Sequence, residues 1–253
     1  GLPTIPFLTM ALALGGIAWL QHRQRAAAQP ESPASVRPTT LGVGPEEAER
    51  LLRVDPLEIE LGYALLDLGS GPAEEDLMER IALLRRQMAL ELGLVIPLVR
   101  VRDNLALPPQ RYVIKLRAEE VGRGELYPSR WLAIPQGTDV ATISGIETVD
   151  PAFGLPARWI EAGQRTDAEA NGYTVVDPTA VLTTHLTEVI RRHAWELLTR
   201  QETRRLVDGL HEQEAALVEE AIPAQISLGE LQQVLQNLLR EWISIRDLGS
   251  ILE

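Results

Sequence analysis

Residues 57–93 read "LEIELGYALLDLGSGPAEEDLMERIALLRRQMALELG", and the apolar period changes partway along them. Leu57, Ile59, Leu61 and Tyr63 alternate with polar or small residues, the pattern of a half-buried strand, predicted over 57–68. Over 73–93 the period lengthens. Leu77, Ile81, Leu84, Met88 and Leu92 recur at three- and four-residue steps behind an acidic first turn, and Gly93 is placed as a C-cap. "LVIPLVRVRDN" (94–104) then reads as a strand and "RYVIKLRAEEVGRGEL" (111–126) as a hairpin. Strand, helix, strand, hairpin with short connections is the signature of a small α/β or α+β domain.

Downstream the texture shifts. From Tyr127 to about Val175, short β-like pieces ("RWLAI", "ATISGIETV", "ARWI") alternate with Gly/Pro turns, and "QRTDAEANG" is a short polar helix. This is expected to be a β-rich subdomain inserted before the first domain resumes. "DPTAVLTTHLTEVIRRHAWELLTRQETRRLVDGL" (177–210) opens with Asp177 as N-cap and Pro178 at the first helical position, and carries two helical patterns broken near Thr199. The tail is helical. Ser227 and Glu230 form a capping box ahead of "LGELQQVLQNLLRE", and a last helix is predicted to start with Ser244 and Asp247.

Upstream, Ile5 to Leu20 is uncharged, with Trp19 at its end and Arg23 and Arg25 beyond it. The expectation is the end of a transmembrane helix over 1–22, with the following chain on the cytoplasmic side by the positive-inside rule. Residues 23–53, rich in Ala, Pro, Ser and Thr, are a linker. The predicted fold class is therefore α+β and multidomain. A discontinuous first domain (54–126 and 176–196) carries the β-rich insertion (127–175), and an incomplete helical domain (197–253) follows.

Composition narrows function. The 253-residue chain has no cysteine, which excludes disulfides, thiol catalysis and cysteine-ligated metal, and a net charge of −12, which disfavours nucleic acid over the whole surface. Lys115 is the single lysine.

Three constellations bear on chemistry or binding. His185 and Glu188, with His193 further on, suggest a metal-dependent hydrolase, yet eight residues put the two histidines about 80° apart around a helix, so no metal or other cofactor is expected. The helical tail resembles a helix-turn-helix, which would make a membrane-tethered DNA-binding regulator, but its second helix begins with Asp247 where DNA readers place basic or amide side chains. Arg100 and Arg102, and Arg111, Lys115 and Arg117, are expected to line neighbouring strands, as a solvated sheet face rather than an inter-subunit contact. No convincing active site emerges, and a non-enzymatic module is expected.

Several blocks together, "DPLEIELGYALLDL", "RIALLRRQMALELGLVIPLVRVRDN", "DPAFGLPARWI", "GYTVVDPTAVLTTHLTEVIRRHAWELL" and "SLGELQQVLQNLLREWISIRDLGSILE", resemble the FlhA family of flagellar type III export gate proteins. Injectisome relatives share this layout, but "GYTVVDP", "THLTEVIRRHA" and "VLQNLLRE" are closer to the flagellar branch. The resemblance implies an inner-membrane gate subunit whose cytoplasmic part forms a nonameric ring. That ring would dock export chaperones with their flagellar substrates and meet other export-apparatus subunits and the ATPase complex. It further implies a chaperone-docking dimple, mapped here onto Asp150, Phe153 and Thr184: Phe153 an apolar anchor, Asp150 a polar rim contact, Thr184 the facing wall. Gly62 matches a family position where close packing is expected. Trp195, Thr199 and Gly249 depart from the family's usual residues.

Overall fold

The structure, a computed structural model, is described for residues 54–69, 77–137 and 142–253. The membrane helix and linker expected over 1–53, and the acidic first turn ahead of Leu77, lie outside the described residues. Among those described, no helix is long and apolar enough to cross a membrane.

The first sheet has the order β2-β1-β3-β4. β1 (Leu57–Leu61) pairs in parallel with β2 (Val99–Asp103), and the connection between them contains α1 (Leu77–Leu92). Its other edge pairs antiparallel with β3 (Arg111–Leu116), which forms a hairpin with β4 (Glu119–Glu125). Leu57, Ile59 and Leu61 are buried, as their alternation requires, and Leu77, Ile81, Leu84, Met88 and Leu92 form the buried stripe of α1. Gly93 follows at φ +75, the left-handed conformation of a C-cap.

The strand predicted over 57–68 is shorter than expected. It ends at Leu61, and Tyr63–Gly69 is a 3-10 helix. Leu65 and Leu68, three residues apart, are buried there while Tyr63 is exposed, so the three-residue period displaces the alternation. β2 likewise begins at Val99 rather than Leu94. Pro97 has no N–H to give a ladder, and the Ile96 carbonyl accepts Arg85 Nε and Nη2 at 3.1 and 2.9 Å. In the hairpin turn Arg117 and Ala118 stand at φ 49 and 68. Arg117 thereby leaves the strand face it was expected to share with Arg111 and Lys115, and donates to Glu196 O at 2.6 Å.

The second sheet, order β6-β7-β5-β8, is antiparallel throughout. It comprises β5 (Arg130–Pro135), β6 (Ile146–Val149), β7 (Pro156–Glu161) and β8 (Tyr173–Val176), with α2 (Arg165–Ala170) before β8. Alternation divides its faces. Leu132, Ala157 and Trp159 join the main core, whereas Ala133, Ile160 and Tyr173 form a smaller cluster with Ala168 of α2.

α3 (Pro178–Leu197) starts as the sequence dictates, with the Asp177 side chain accepting from Ala180 N–H at 2.8 Å. α4 (Arg200–His211) follows after Thr199, whose hydroxyl caps Glu202 N–H at 3.2 Å. Then come α5 (Ala215–Ala221), α6 (Leu228–Arg240) behind the Ser227–Glu230 capping box, and α7 (Leu248–Leu252). α7 begins later than predicted from Ser244. Ile245 is buried, its N–H donates to Leu92 O at 2.9 Å, and Asp247 supplies the cap to Ser250 N–H at 3.2 Å. The atypical residues all have local jobs: Thr199 caps α4, Trp195 stacks under Arg240 at 4.0 Å, and Gly249 leaves room for the Glu214 carboxylate. One hydrophobic core runs from Leu57 in the first sheet through Trp159 in the second to Leu231, Leu235 and Leu239 of α6. The fold is mixed α/β, two sheets with helices.

Candidate functional site

The turn between β6 and β7 is closed from within. Asp150 N–H donates to Leu155 O at 2.8 Å, Gly154 N–H donates to Asp150 O at 2.9 Å, and Phe153 N–H donates to Asp150 Oδ2 at 2.7 Å. Gly154 sits at φ +71, where a side chain would be strained. The outcome is an exposed aromatic on a fixed backbone: Phe153 is 57% exposed, with exposed Val149 and Leu155 beside it. Asp150 is not the rim residue expected from the sequence. It is 4% exposed, and its carboxylate is turned inward to close the turn. An aspartate at the head of a turn satisfies a nearby backbone N–H more cheaply than it recruits an outside partner.

Against the turn lies a polar cluster with exposed Arg192 at its outer edge and Tyr112 and His185 buried. Arg192, on α3, donates from Nη2 to Ala152 O at 3.2 Å, and Ala152 is buried. Tyr112 of β3, fully buried, has its hydroxyl 2.7 Å from His185 Nδ1 of α3, the rings meeting edge-on. Burial, aided by the negative charge of Asp150, raises the Tyr112 hydroxyl above the usual phenol range. Burial and the positive charge of Arg192 push His185 down to about 4, so its imidazole is neutral at neutral pH. β4 makes the space. A Cβ on Gly124 would lie 2.5 Å from the Tyr112 hydroxyl, and one on Gly122 would lie 3.1 Å from the His185 ring.

Asp150 and Phe153 are thus joined by a hydrogen bond. Thr184 is half-buried and lines a groove between α1 and α3 with Arg80, Leu83, Leu84, Gln87, Thr183 and Thr187; Phe153 is not part of that lining. Gly62 is a packing position. Its N–H donates to Arg111 O at 2.8 Å, and a Cβ would fall 2.3 Å from Pro108 O.

The other constellations resolve separately. His185 is engaged with Tyr112 and His193 with Glu196 at 2.7 Å, and Glu188 pairs with Arg191 at 3.1 Å. Among the described residues no group of three or more histidine, aspartate and glutamate side chains is placed to hold a metal. At the N-terminus of α7 the Asp247 carboxylate, held below the usual range by the Ser250 backbone N–H, occupies the place where a DNA reader presents donors. Arg100 and Arg102 pair with Asp55, just before β1, at 3.3 and 2.9 Å, Arg111 with Glu125 at 3.0 Å and Lys115 with Glu60, so these basic strand residues are matched by acids on or next to the sheet.

No local motif marks Arg192 or Tyr112 as functional. Tyr112 alternates with Ile114 and Leu116, which marks it as core-facing, but nothing local connects it to His185. Arg192 looks like any polar helix residue until the chain has folded.

The FHIPEP family model matches residues 1–253. The flagellar biosynthesis protein FlhA of Bacillus subtilis (strain 168) is 50% identical over 209 residues, covering 83% of this chain but only 31% of that protein. The chain thus spans a minor part of the length of this relative. Among solved structures, the Chlamydia pneumoniae CdsV and CdsO protein complex matches with TM-score 0.70 and 25% identity, over 79% of this chain and 63% of that chain. The cryo-EM structure of nonameric EPEC SctV-C has the same fold, with TM-score 0.58 and 21% identity over 79% of this chain and 58% of that one. The match along its whole length, together with the fold, shows that this chain belongs to the FHIPEP family.

Proposed function

We propose that this chain is the docking and ring-forming part of a flagellar type III export gate subunit, acting as a binding module and not as an enzyme. The observation that carries the reading is Phe153: a large apolar side chain, 57% exposed, presented on a turn closed by its own hydrogen bonds. Exposed aromatics on rigid backbone are suited to anchor a partner, because little ordering entropy remains to be lost on binding. The partner proposed is an export chaperone loaded with its flagellar substrate. Thr184, on the α1–α3 groove, is assigned to the same docking surface, and Asp150 acts through the shape of the turn. The subunit is placed in the bacterial inner membrane through residues 1–22, with the chain after about residue 22 in the cytoplasm. There it assembles with copies of itself into a nonameric ring and meets other export-apparatus subunits and the export ATPase complex. The discontinuous first domain with its insertion, followed by a helical third domain, is the matching division of the chain. Half-identity to a flagellar relative, against 25% to CdsV, favours the flagellar over the injectisome branch.

The test is calorimetric titration of the chain with a flagellar chaperone–substrate complex, wild type against Phe153→Ala. Wild type is expected to bind at micromolar affinity or tighter. Loss of the ring is expected to weaken binding about ten- to a hundredfold, from about 1.5–3 kcal/mol of buried apolar surface, with melting unchanged. Equal binding by both would remove Phe153 from the interface.

A further inference from the structure

We propose that Arg192 is a positioning residue for docking: from α3 its guanidinium holds the carbonyl of Ala152 and so fixes the turn on which Phe153 stands. The proposal rests on the docking reading of Phe153. Three hydrogen bonds inside residues 150–155 set the shape of the turn, but they do not set its attitude on the body of the molecule. That second constraint comes from α3, where Arg192 is itself exposed. Ala152 is buried, and Arg192 Nη2 reaches its carbonyl at 3.2 Å across 40 residues of sequence. The neighbouring Arg191 is committed elsewhere, to Glu91 and Glu188 at 2.6 and 3.1 Å.

The same pair of charges brackets the buried Tyr112–His185 contact. Asp150 acts on Tyr112 from the turn, and Arg192 acts on His185 from the helix. The contact that registers the turn against α3 is the Arg192 guanidinium on its backbone. Removing the guanidinium leaves Phe153 attached to a turn of correct internal shape but loose orientation. Binding would then have to restore that orientation, at a loss of affinity without loss of any contact.

The chain makes the experiment direct, because its only phenylalanines are Phe7 and Phe153. Labelling with 4-fluorophenylalanine in a Phe7→Leu background leaves a single fluorine resonance, that of Phe153. Arg192→Met is expected to shift or broaden this resonance and weaken binding of a flagellar chaperone–substrate complex about tenfold, roughly 1.4 kcal/mol, while melting stays cooperative. Arg192→Lys, which keeps the charge and stem but not the fork, is expected to fall between, and it carries the comparison if the methionine variant fails to fold. Arg123→Gln, on the exposed face of β4, controls for loss of one positive charge and should behave as wild type. Wild-type binding and an unmoved resonance in Arg192→Met would overturn the proposal. So would weakened binding with an unmoved resonance, which would make Arg192 a direct contact. If Phe153→Ala also binds as wild type, the docking reading fails first and this proposal goes with it; if only Phe153→Ala loses binding, the positioning role alone is rejected.

Discussion

His185 shows how one buried side chain ties stability to pH. Its imidazole titrates near 6.5 in an unfolded chain and at about 4 in the fold, because burial and Arg192 disfavour its charged form. Between those values the unfolded chain binds the extra proton. The stabilisation is therefore complete above pH 6.5 and is lost as pH falls towards 4, an effect of up to about 3 kcal/mol. Denaturant unfolding of wild type and His185→Gln across this window should give converging stabilities at low pH; parallel curves would contradict the assignment. Gly62 is constrained by space instead. The carbonyl oxygens of Pro108, Pro109 and Arg111 would lie 2.3, 2.6 and 2.9 Å from an added Cβ, and backbone cannot swing aside as a side chain can. Gly62→Ala should cost about 1–3 kcal/mol, seen as a lowered melting temperature.

Among the elements, α3 has the central position. It carries His185 in the core, Arg192 on the 150–155 turn, Thr184 on the α1 groove, and a buried stripe that includes Val181, Leu182, Leu186, Val189 and Ile190. Its start depends on Asp177, which caps Ala180 N–H and also pairs with Arg80 at 3.3 Å. The two roles separate by substitution. Asp177→Ala should lose about 1–2 kcal/mol, while Asp177→Asn keeps a capping oxygen and should recover most of it, since the part-exposed ion pair contributes less than about 1 kcal/mol. Equal damage from both, measured by urea denaturation, would shift the weight to the ion pair. The elements were largely legible because their signals are local. The capping box at Ser227 and Glu230 and the C-cap at Gly93 connect groups within a few residues of one another. Where the reading failed, at Tyr63–Gly69 and Ser244–Asp247, a contact from elsewhere or a competing short period had overridden the local pattern.

At the scale of the whole molecule, the second sheet does not have a separate main core. Trp159 of the second sheet lies in the same buried cluster as Leu57, Ile59 and Ile114 of the first, and its ring is 5.6 Å from that of Tyr127 in the segment joining the two sheets. The described residues should therefore unfold as one unit. Trp159→Ala is expected to cost about 3–5 kcal/mol and to lower a single transition in which circular dichroism and tryptophan fluorescence coincide. Two resolved transitions would show that the sheets are independent.

The sequence by itself determined the alternating strands, the stripe of α1, the caps of α3 and α6, the exclusion of thiol chemistry, and the aromatic held among turn residues at 153. Each of these depends on groups close in the chain or on composition. Only the tertiary structure decided that Asp150 faces inward, that Arg192 holds Ala152 from 40 residues away, and that Tyr112 meets His185 across 73. Those contacts form between side chains whose separation along the chain carries no periodic signal. They exist because packing against a shared core leaves buried polar groups that must find partners wherever the fold has brought them.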